Sequence, residues 1–323
     1  MKLTVLISSC GRRVELLEAF RSDARALGID VRVLGSDVDI ETSAAARRAD
    51  KAFFVPKINA PEFLPQLLAL CQSERIDLII PTIDPGIMAF SESRDRFAAV
   101  GTNVVVSEHA VARIANNKLR TYEFLTNAGL PTPRTLTIED ARSDSTRCSF
   151  PLIAKPISGS GSVGIRQIQH AVELYDPALD QGYLVQEFIK GTEFTVNLYF
   201  DLAQGRLRCA IPHKRIEVRA GEVAKGVTMR HPKLEQLADE LGAKLAGARG
   251  CICFQAIEDA AGAVHIIEIN ARFGGGFPLA HRAGARFTAW LMEETLGLPS
   301  TIGNDWRENV LMTRYDAAVF LND

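Results

Sequence analysis

Three glycines at 159, 161 and 164 in PISGSGSVGIR (156–166) spell G-x-G-x-x-G. Backbone amides in such a loop can face a phosphate with no side chains in the way. Directly before it, Lys155 ends the apolar run FPLIAKPI (150–157). An ammonium on a buried strand needs an anionic partner, because burying it alone is costly. Farther on, Glu268 and Asn270 stand two residues apart in IIEINARFGGG (266–276). On a strand both leave by one face while Ile267 and Ile269 enter the core. A carboxylate and an amide oxygen side by side suit Mg²⁺, a hard ion that completes its octahedron with phosphate oxygens and water. Arg272 falls on that face another two residues on, where it can meet a phosphate. A strand with a plain solvated face has the same alternation.

The glycine spacing by itself is shared by several phosphate-handling loops and by flexible turns. A Walker loop requires Lys and then Ser or Thr after its last glycine, whereas Ile165 and Arg166 stand there. A dinucleotide fingerprint opens the first βα unit and launches a clear helix. This loop lies mid-chain and runs into IRQIQHAVELY, which is ambiguous between strand and helix. A kinase loop comes with H-R-D and D-F-G, which the chain lacks.

The order of Lys155, the glycine loop, QEFIKGTEF (186–194) and IIEINARFGGG resembles the ATP-grasp family, in particular its carbamoyl-phosphate-synthase-like carboxylate–amine ligases. The resemblance covers residues from about 109 to 300 with specific motifs, and the amino-terminal sheet more loosely. The opening SSCGRRVEL is similar to the start of the small stand-alone ligases of that branch.

The resemblance implies ATP held between two lobes, with Lys118 (in NNKLR) and Lys155 at its phosphates. The loop of Ser158, Gly159, Ser160, Gly161, Ser162 and Gly164 becomes a lid over the β and γ phosphates. Gln186 then offers its carbonyl to the adenine amine and Ile189 its amide to the ring, with Glu187 and Phe188 in the same stretch, and Glu193 takes the ribose hydroxyls. Mg²⁺, with Mn²⁺ as a substitute, falls to Glu268, Asn270 and a third ligand on the preceding strand, Gln255 ahead of Glu258, and Arg272 meets the γ phosphate.

The implied reaction has a substrate carboxylate attack the γ phosphate and an amine displace the resulting acyl phosphate, forming an amide. Positioning and charge neutralisation carry such chemistry, so no nucleophilic cysteine is expected. In HKRIEVRAGEVAKGVTMRH (213–231), Lys214, Arg215, Arg219 and Arg230 are candidates to clamp the substrate, with Arg215 and Arg230 favoured for bidentate pairing. Bicarbonate activation, a dinucleotide oxidoreductase and a non-catalytic ATP-binding protein are the rival readings.

Elements that position these groups follow from periodicity. LTVLIS (3–8), VRVLGS (31–36), DLIIP (77–81) and NVVVS (103–107) are short apolar strands separated by helical patterns, which predicts a parallel sheet covered on both faces. Ligands sit beyond the carboxyl ends of such strands, where Arg12, Arg13, Asp37 and Asp84 fall. One long helix is expected over 109–128, before GLPTPRT (129–135) breaks regular structure. Strand-like runs then fill 150–157, 182–189, 193–201, 206–212, 251–259 and 264–271. The expected fold is α/β, an ATP-grasp fold with an amino-terminal parallel α/β (Rossmann-like) domain over 1–108, a lid lobe with linking helix over 109–189 and a mixed-sheet carboxy-terminal lobe over 190–323.

With 323 residues and a net charge of -2, the chain shows no general attraction to nucleic acid or anionic membrane. Small-molecule carboxylate and amine substrates, an amino acid among them, are the expected partners, and a homodimer is compatible with the resemblance. The start MKLTVLISSCGRR is too short in apolar residues for a secretory or spanning segment, which points to the cytoplasm. Cysteines at 10, 71, 148, 209, 251 and 253 form no C-x-x-C pair and are expected reduced, with Cys251 and Cys253 packed in the core.

Overall fold

A computed structural model describes residues 1–320 apart from Ser160 and Ser162. The chain opens as β1 (Lys2–Ser8), α1 (Val14–Leu27), β2 (Asp30–Asp37), α2 (Ala44–Arg48), β3 (Lys51–Phe54), α3 (Phe63–Glu74), β4 (Leu78–Pro81), α4 (Asp84–Ala98) and β5 (Asn103–Val104). These strands form one parallel sheet in the order β3-β2-β1-β4-β5. The order reverses between β1 and β4, so the loops after those strands flank the crevice where parallel sheets bind ligands. Leu6 and Ile7 are fully buried on opposite faces of β1, as expected of a covered central strand.

The helical pattern over 109–128 divides into α5 (His109–Ala115) and α6 (Lys118–Asn127). Asn117 leaves helical geometry at φ -138° and its side chain accepts the Arg120 amide, capping α6. That break puts Lys118 in the first turn of a helix. The expected strand over 103–107 shrinks to Asn103–Val104, after which the chain turns to reach α5.

A four-stranded antiparallel sheet follows, made of β6 (Thr135–Thr137), β7 (Leu152–Pro156), β8 (Arg166–Ile168) and β9 (Tyr183–Glu187) in the order β6-β9-β7-β8, with α7 (Ile138–Ser143) against it. Its core, including Ile138, Leu152, Ala154, Leu174 and Val185, is separate from those of the rest of the molecule. The last sheet is antiparallel, β14-β13-β10-β11-β12-β15, built from β10 (Gly191–Phe200), β11 (Leu207–Arg219), β12 (Glu222–Thr228), β13 (Gly250–Asp259), β14 (Val264–Asn270) and β15 (Leu311–Thr313). Helices α8 (Pro232–Lys244), α9 (Phe277–Ala283) and α10 (Phe287–Leu296) cover it. Its core is continuous with that of the first sheet, Phe90 and Phe97 sharing a cluster with Leu198, Ile252 and Phe254. The fold is therefore two sheets fused through one core and a small sheet that packs on its own. Among the described residues no helix is long and apolar enough to cross a membrane.

Candidate active site

A cleft of about 410 Å³ separates the small sheet from the large antiparallel one. Alternation along β7 sends Leu152 and Ala154 into the small core and Ile153 and Lys155 into the cleft. Lys155 is 6% exposed, and its Nζ donates to Gln186 Oε1 at 2.7 Å and to the Ile267 carbonyl at 3.4 Å. Both acceptors are neutral. Burial lowers the Lys155 pKa to about 8, against the pull of Glu268 and with a smaller push from Lys118. Lys118 enters from the helix start and donates to the Gly159 carbonyl at 2.7 Å, tying the glycine loop to α6.

Strands β13 and β14 form the floor. Gln255 pairs with Glu268 and Cys253 with Asn270, but the register slips between Gln255 and Ala256, leaving Ile267 as an extra residue. This bulge corrects the expected alternation: Ile266 and Ile269 enter the core, while Ile267 lines the cleft beside Glu268. Gln255 Oε1 accepts from Arg215 Nη1 at 2.6 Å, and Asn270 Oδ1 accepts from Arg272 Nη2 at 3.1 Å. Glu268 is half-buried and forms no ion pair among the described residues. A carboxylate in that setting, beside an amide oxygen, fits a hard divalent cation. The Gln255 and Asn270 oxygens both face arginines, Gln255 the more closely, so Glu268 is the oxygen donor here that no cation engages at ion-pair distance. Glu258 lies 3.4 Å from His231 Nε2 and lines neither this cleft nor the adjoining hollow.

That hollow, about 200 Å³ and polar, shares Gly161, Arg215, Gln255 and Glu268 with the cleft. Arg272 lines it, held by both oxygens of Asp84 at 2.7 and 2.9 Å. Burial works against the Arg272 charge, and Asp84 more than offsets it, so the pKa is raised. Across from it, Glu222 Oε1 lies 3.0 Å from Arg13 and 3.4 Å from Arg12, and Oε2 lies 3.7 Å from Arg314. Burial pushes the Glu222 carboxyl up, but Arg13, Arg12 and Arg314 outweigh it and hold it below the usual range. Gly274, Gly275 and Gly276 form the remaining wall. A Cβ at Gly275 would stand 2.9 Å from Glu222, and one at Gly276 2.3 Å from the His213 ring.

Several expectations need correction. Arg230 lies outside both hollows, its guanidinium 3.7 Å from the Trp306 ring centroid and donating to the carbonyls of Asn304 and Trp306. Lys214 is exposed on the face of β11 opposite Arg215, and Arg219 pairs with Asp316 at 2.8 Å, so Arg215 is the one of the four that enters the site. The Gln186 carbonyl already serves as an acceptor within the small sheet. Phe188 donates to the Pro151 carbonyl at 3.4 Å, which by alternation makes Gln186 and Ile153 the next pair exchanging amide and carbonyl. Gln186 instead acts through its side chain, accepting from Lys155 and donating to Thr135 at 2.9 Å.

Main chain along the cleft runs from Glu187 through Phe188, Ile189 and Lys190, with Glu193 at the rim 3.6 Å from Arg215. Gly159 and Gly161 line the cleft, whereas Ser158 does not. Gly164 is set by packing, since a Cβ there would meet the Tyr183 hydroxyl at 2.7 Å. Ser160 and Ser162 lie outside the described residues. Arg12 and Arg13 reach the hollow, Asp84 acts through Arg272, and Asp37 accepts the Gly11 amide at 2.7 Å to hold the loop after β1. Cys251 and Cys253 are both buried as expected, Cys253 at the base of the hollow with its thiol pushed by burial to about 11. Cys10 is likewise raised to about 11. Lys190 and Glu222 sit inside stretches read for other residues and Arg314 outside all of them, so only their fold position marks these three.

A model of the ATP-grasp domain matches residues 115–276, and one of the PylC-like N-terminal domain matches residues 5–105. The chain is 27% identical to the D-alanine–D-alanine ligase of Stutzerimonas stutzeri over 252 residues, 72% of this chain and 79% of that protein. It is 31% identical to the ligase of the same name from Marinobacter nauticus over 181 residues, 51% of this chain and 55% of that one. Among solved structures, the biotin carboxylase domain of 2-oxoglutarate carboxylase from Hydrogenobacter thermophilus, determined with MgADP and bicarbonate, superposes with a TM-score of 0.75. That match is 18% identical in sequence and covers 94% of this chain and 72% of that one. With the model matching half of its length and the cleft lying between the small and large antiparallel sheets, the chain belongs to the ATP-grasp family.

Proposed function

We infer that the cleft and the adjoining hollow form one active site, in which an ATP-dependent ligase joins a carboxylate to an amine and releases ADP and phosphate. One observation carries this reading: Lys155 and Glu268, opposite charges from two sheets, face a single cleft, and neither forms an ion pair among the described residues, although each feels the other's charge across the cleft. A nucleotide polyphosphate with a divalent cation supplies both missing charges at once. Ile153, Phe188, Ile257 and Ile267 provide an apolar slot for a base, with the main chain of Glu187–Lys190 along its edge. Lys118, Lys155 and the amides of Gly159 and Gly161 face the phosphate end. Mg²⁺ or Mn²⁺ held by Glu268 and Asn270 would neutralise phosphate charge during transfer.

The carboxylate to be activated lies in the hollow, where Arg272, fixed by Asp84, and Arg215, fixed by Gln255, border the phosphate end. Rigid donors of this kind stabilise developing charge without reorganising, which is how such sites accelerate transfer. The amine then attacks the acyl phosphate from within the same hollow. Thiol chemistry has no part, because Cys10 and Cys253 remain protonated at neutral pH. The relatives named D-alanine–D-alanine ligase support the joining of a carboxylate and an amine, with amino acids as the first substrates to try.

The decisive experiment measures ADP release over a panel of amino acids and small carboxylates, singly and in pairs, with bicarbonate included. Release that needs both a carboxylate and an amine, with the amide found by mass spectrometry, is the expected result. Release with bicarbonate alone, or ATP binding with no release for any mixture, would replace the ligase by a carboxylase or a nucleotide-binding protein.

A further inference from the structure

The hollow carries more positive charge than its own carboxylates neutralise. Arg12 and Arg13, from the loop after β1, line the hollow, Arg314, from the segment after β15, stands just outside its lining, and all three converge on the single carboxylate of Glu222. The one other acid paired with them, Glu15, is exposed and lies 3.9 Å from Arg314. Asp84 is fully engaged by Arg272 and adds nothing here. Burial lowers the Arg13 pKa against the pull of Glu222, with smaller pushes in the same direction from Arg272, Arg12 and Arg314. Arg314 Nε is buried and finds no hydrogen-bond partner among the described residues.

The fold goes to some length to hold this arrangement. Ser9 sits at φ 55° and Gly11 at φ 45°, a left-handed stretch that costs an ordinary residue free energy. The Thr82 hydroxyl contacts the Ser8 and Ser9 carbonyls at 3.0 and 2.6 Å, and Asp37 takes the Gly11 amide, so the loop is clamped on two sides. Arg314 is tethered from the far end of the chain, its backbone amide on Ala224 and its Nη2 on the Gly275 carbonyl. Guanidinium planes brought together around one carboxylate leave donors for a second anion.

We propose that Arg12, Arg13 and Arg314 bind a second anionic group on the carboxylate substrate, so that the enzyme takes dianions, dicarboxylates and acidic amino acids foremost, ahead of neutral amino acids such as alanine. The proposal rests on the ligase reading and names its substrate class. A site with donors fixed for a charged group discriminates strongly against an analogue that lacks it, because the donors are then left unpaired. Glu222 keeps the three arginines together in the absence of substrate and repels the dianion in its presence.

The test measures ADP release with MgATP and hydroxylamine as a generic amine, comparing glutarate and glutamate with butyrate and alanine, and adding 4-phosphonobutyrate as a dianion of another kind. Glutarate and glutamate should exceed butyrate and alanine, which lack the second acid group, in kcat/KM by about 100-fold, and the phosphonate shows whether the site reads charge or carboxylate shape. Arg13→Gln and Arg314→Gln should each raise KM for the dianion by about 100-fold while the thermal shift caused by MgATP persists. Glu222→Gln should lower that KM.

Equal or better use of butyrate and alanine by the wild type, or an unchanged dianion KM in the arginine variants, overturns the proposal. Arg12→Gln, at the exposed rim, serves if an inner variant does not fold. If no carboxylate releases ADP, the ligase reading fails separately. A melting shift caused by glutarate with MgADP, lost in Arg314→Gln, then upholds the anion site, and no shift in the wild type refutes it.

Discussion

Lys155 is where sequence and structure meet most directly, because a lysine at the end of an apolar strand turns out buried against neutral acceptors. Its depressed pKa has a stability consequence whose sign can be worked out. Below pH 8 the folded and unfolded chains both carry the proton, and the folded state bears the full burial penalty. Between about 8 and the ordinary 10.5 the unfolded chain keeps a proton that the folded chain releases, so apo stability rises with pH. Lys155→Met should therefore stabilise the apo protein at pH 7, by at most about 3 kcal/mol, and flatten the rise above pH 8. It should also lower turnover by about 10²- to 10³-fold. Urea melts from pH 7 to 10 and ADP-release kinetics check both halves, and a destabilised but active variant would make Lys155 structural. Arg230 is the opposite case. Its sequence position suggested substrate, yet it stacks on Trp306, so Arg230→Gln should cost about 1–2 kcal/mol of stability and leave every KM unchanged. A raised substrate KM in a variant with normal melting would return Arg230 to the site.

At the scale of elements, three local devices aim the site residues. The Asn117 cap divides one helical pattern in two and starts α6 at Lys118. The bulge at Ile267 brings an apolar side chain and its carbonyl to the cleft beside Glu268. The third device is the turn joining β11 to β12, where Ala220 (φ 49°) and Gly221 (φ 74°) both take left-handed geometry, as a two-residue hairpin turn requires. A Cβ on Gly221 would stand 2.5 Å from the backbone of Gly161, so the glycine loop rests on the hairpin tip. Gly221→Ala should lift that loop and raise KM for ATP by about tenfold, beyond the roughly 1–2 kcal/mol of left-handed strain. Gly28→Ala is the control. Its φ of 68° gives comparable strain, but nothing lies within 4 Å of the added carbon, so its KM for ATP should stay at the wild-type value. Equal KM values in the two variants would mean that the loop does not use the tip. Continuous apolar runs between helical patterns made the first sheet legible, whereas the cap and the bulge were not, because each is a departure from the regular pattern that reveals elements.

On the scale of the whole molecule, the small sheet has its own core while the other two sheets share one, which makes the small sheet the part whose stability depends most on what lies beneath it. MgATP at a hundred times its dissociation constant should stabilise the fold by about 2.7 kcal/mol, and hydrogen exchange should slow most in β7 and β9. Protection confined to the first sheet would place the nucleotide elsewhere. The sequence by itself determined the parallel sheet and the order of its motifs, and it put Lys155 on an apolar strand and Glu268 and Asn270 two residues apart on another. These are set by local periodicity and short spacing, which survive in one dimension. Only the tertiary structure decided that Arg215 enters the site while Arg230 leaves it, that Gln186 serves Lys155 with its side chain, and that Arg314 returns from residue 314 to join Arg12 and Arg13 around Glu222. Those outcomes depend on sheet order and strand register, which bring together residues tens to hundreds of positions apart in the chain, and no spacing within a single segment encodes them.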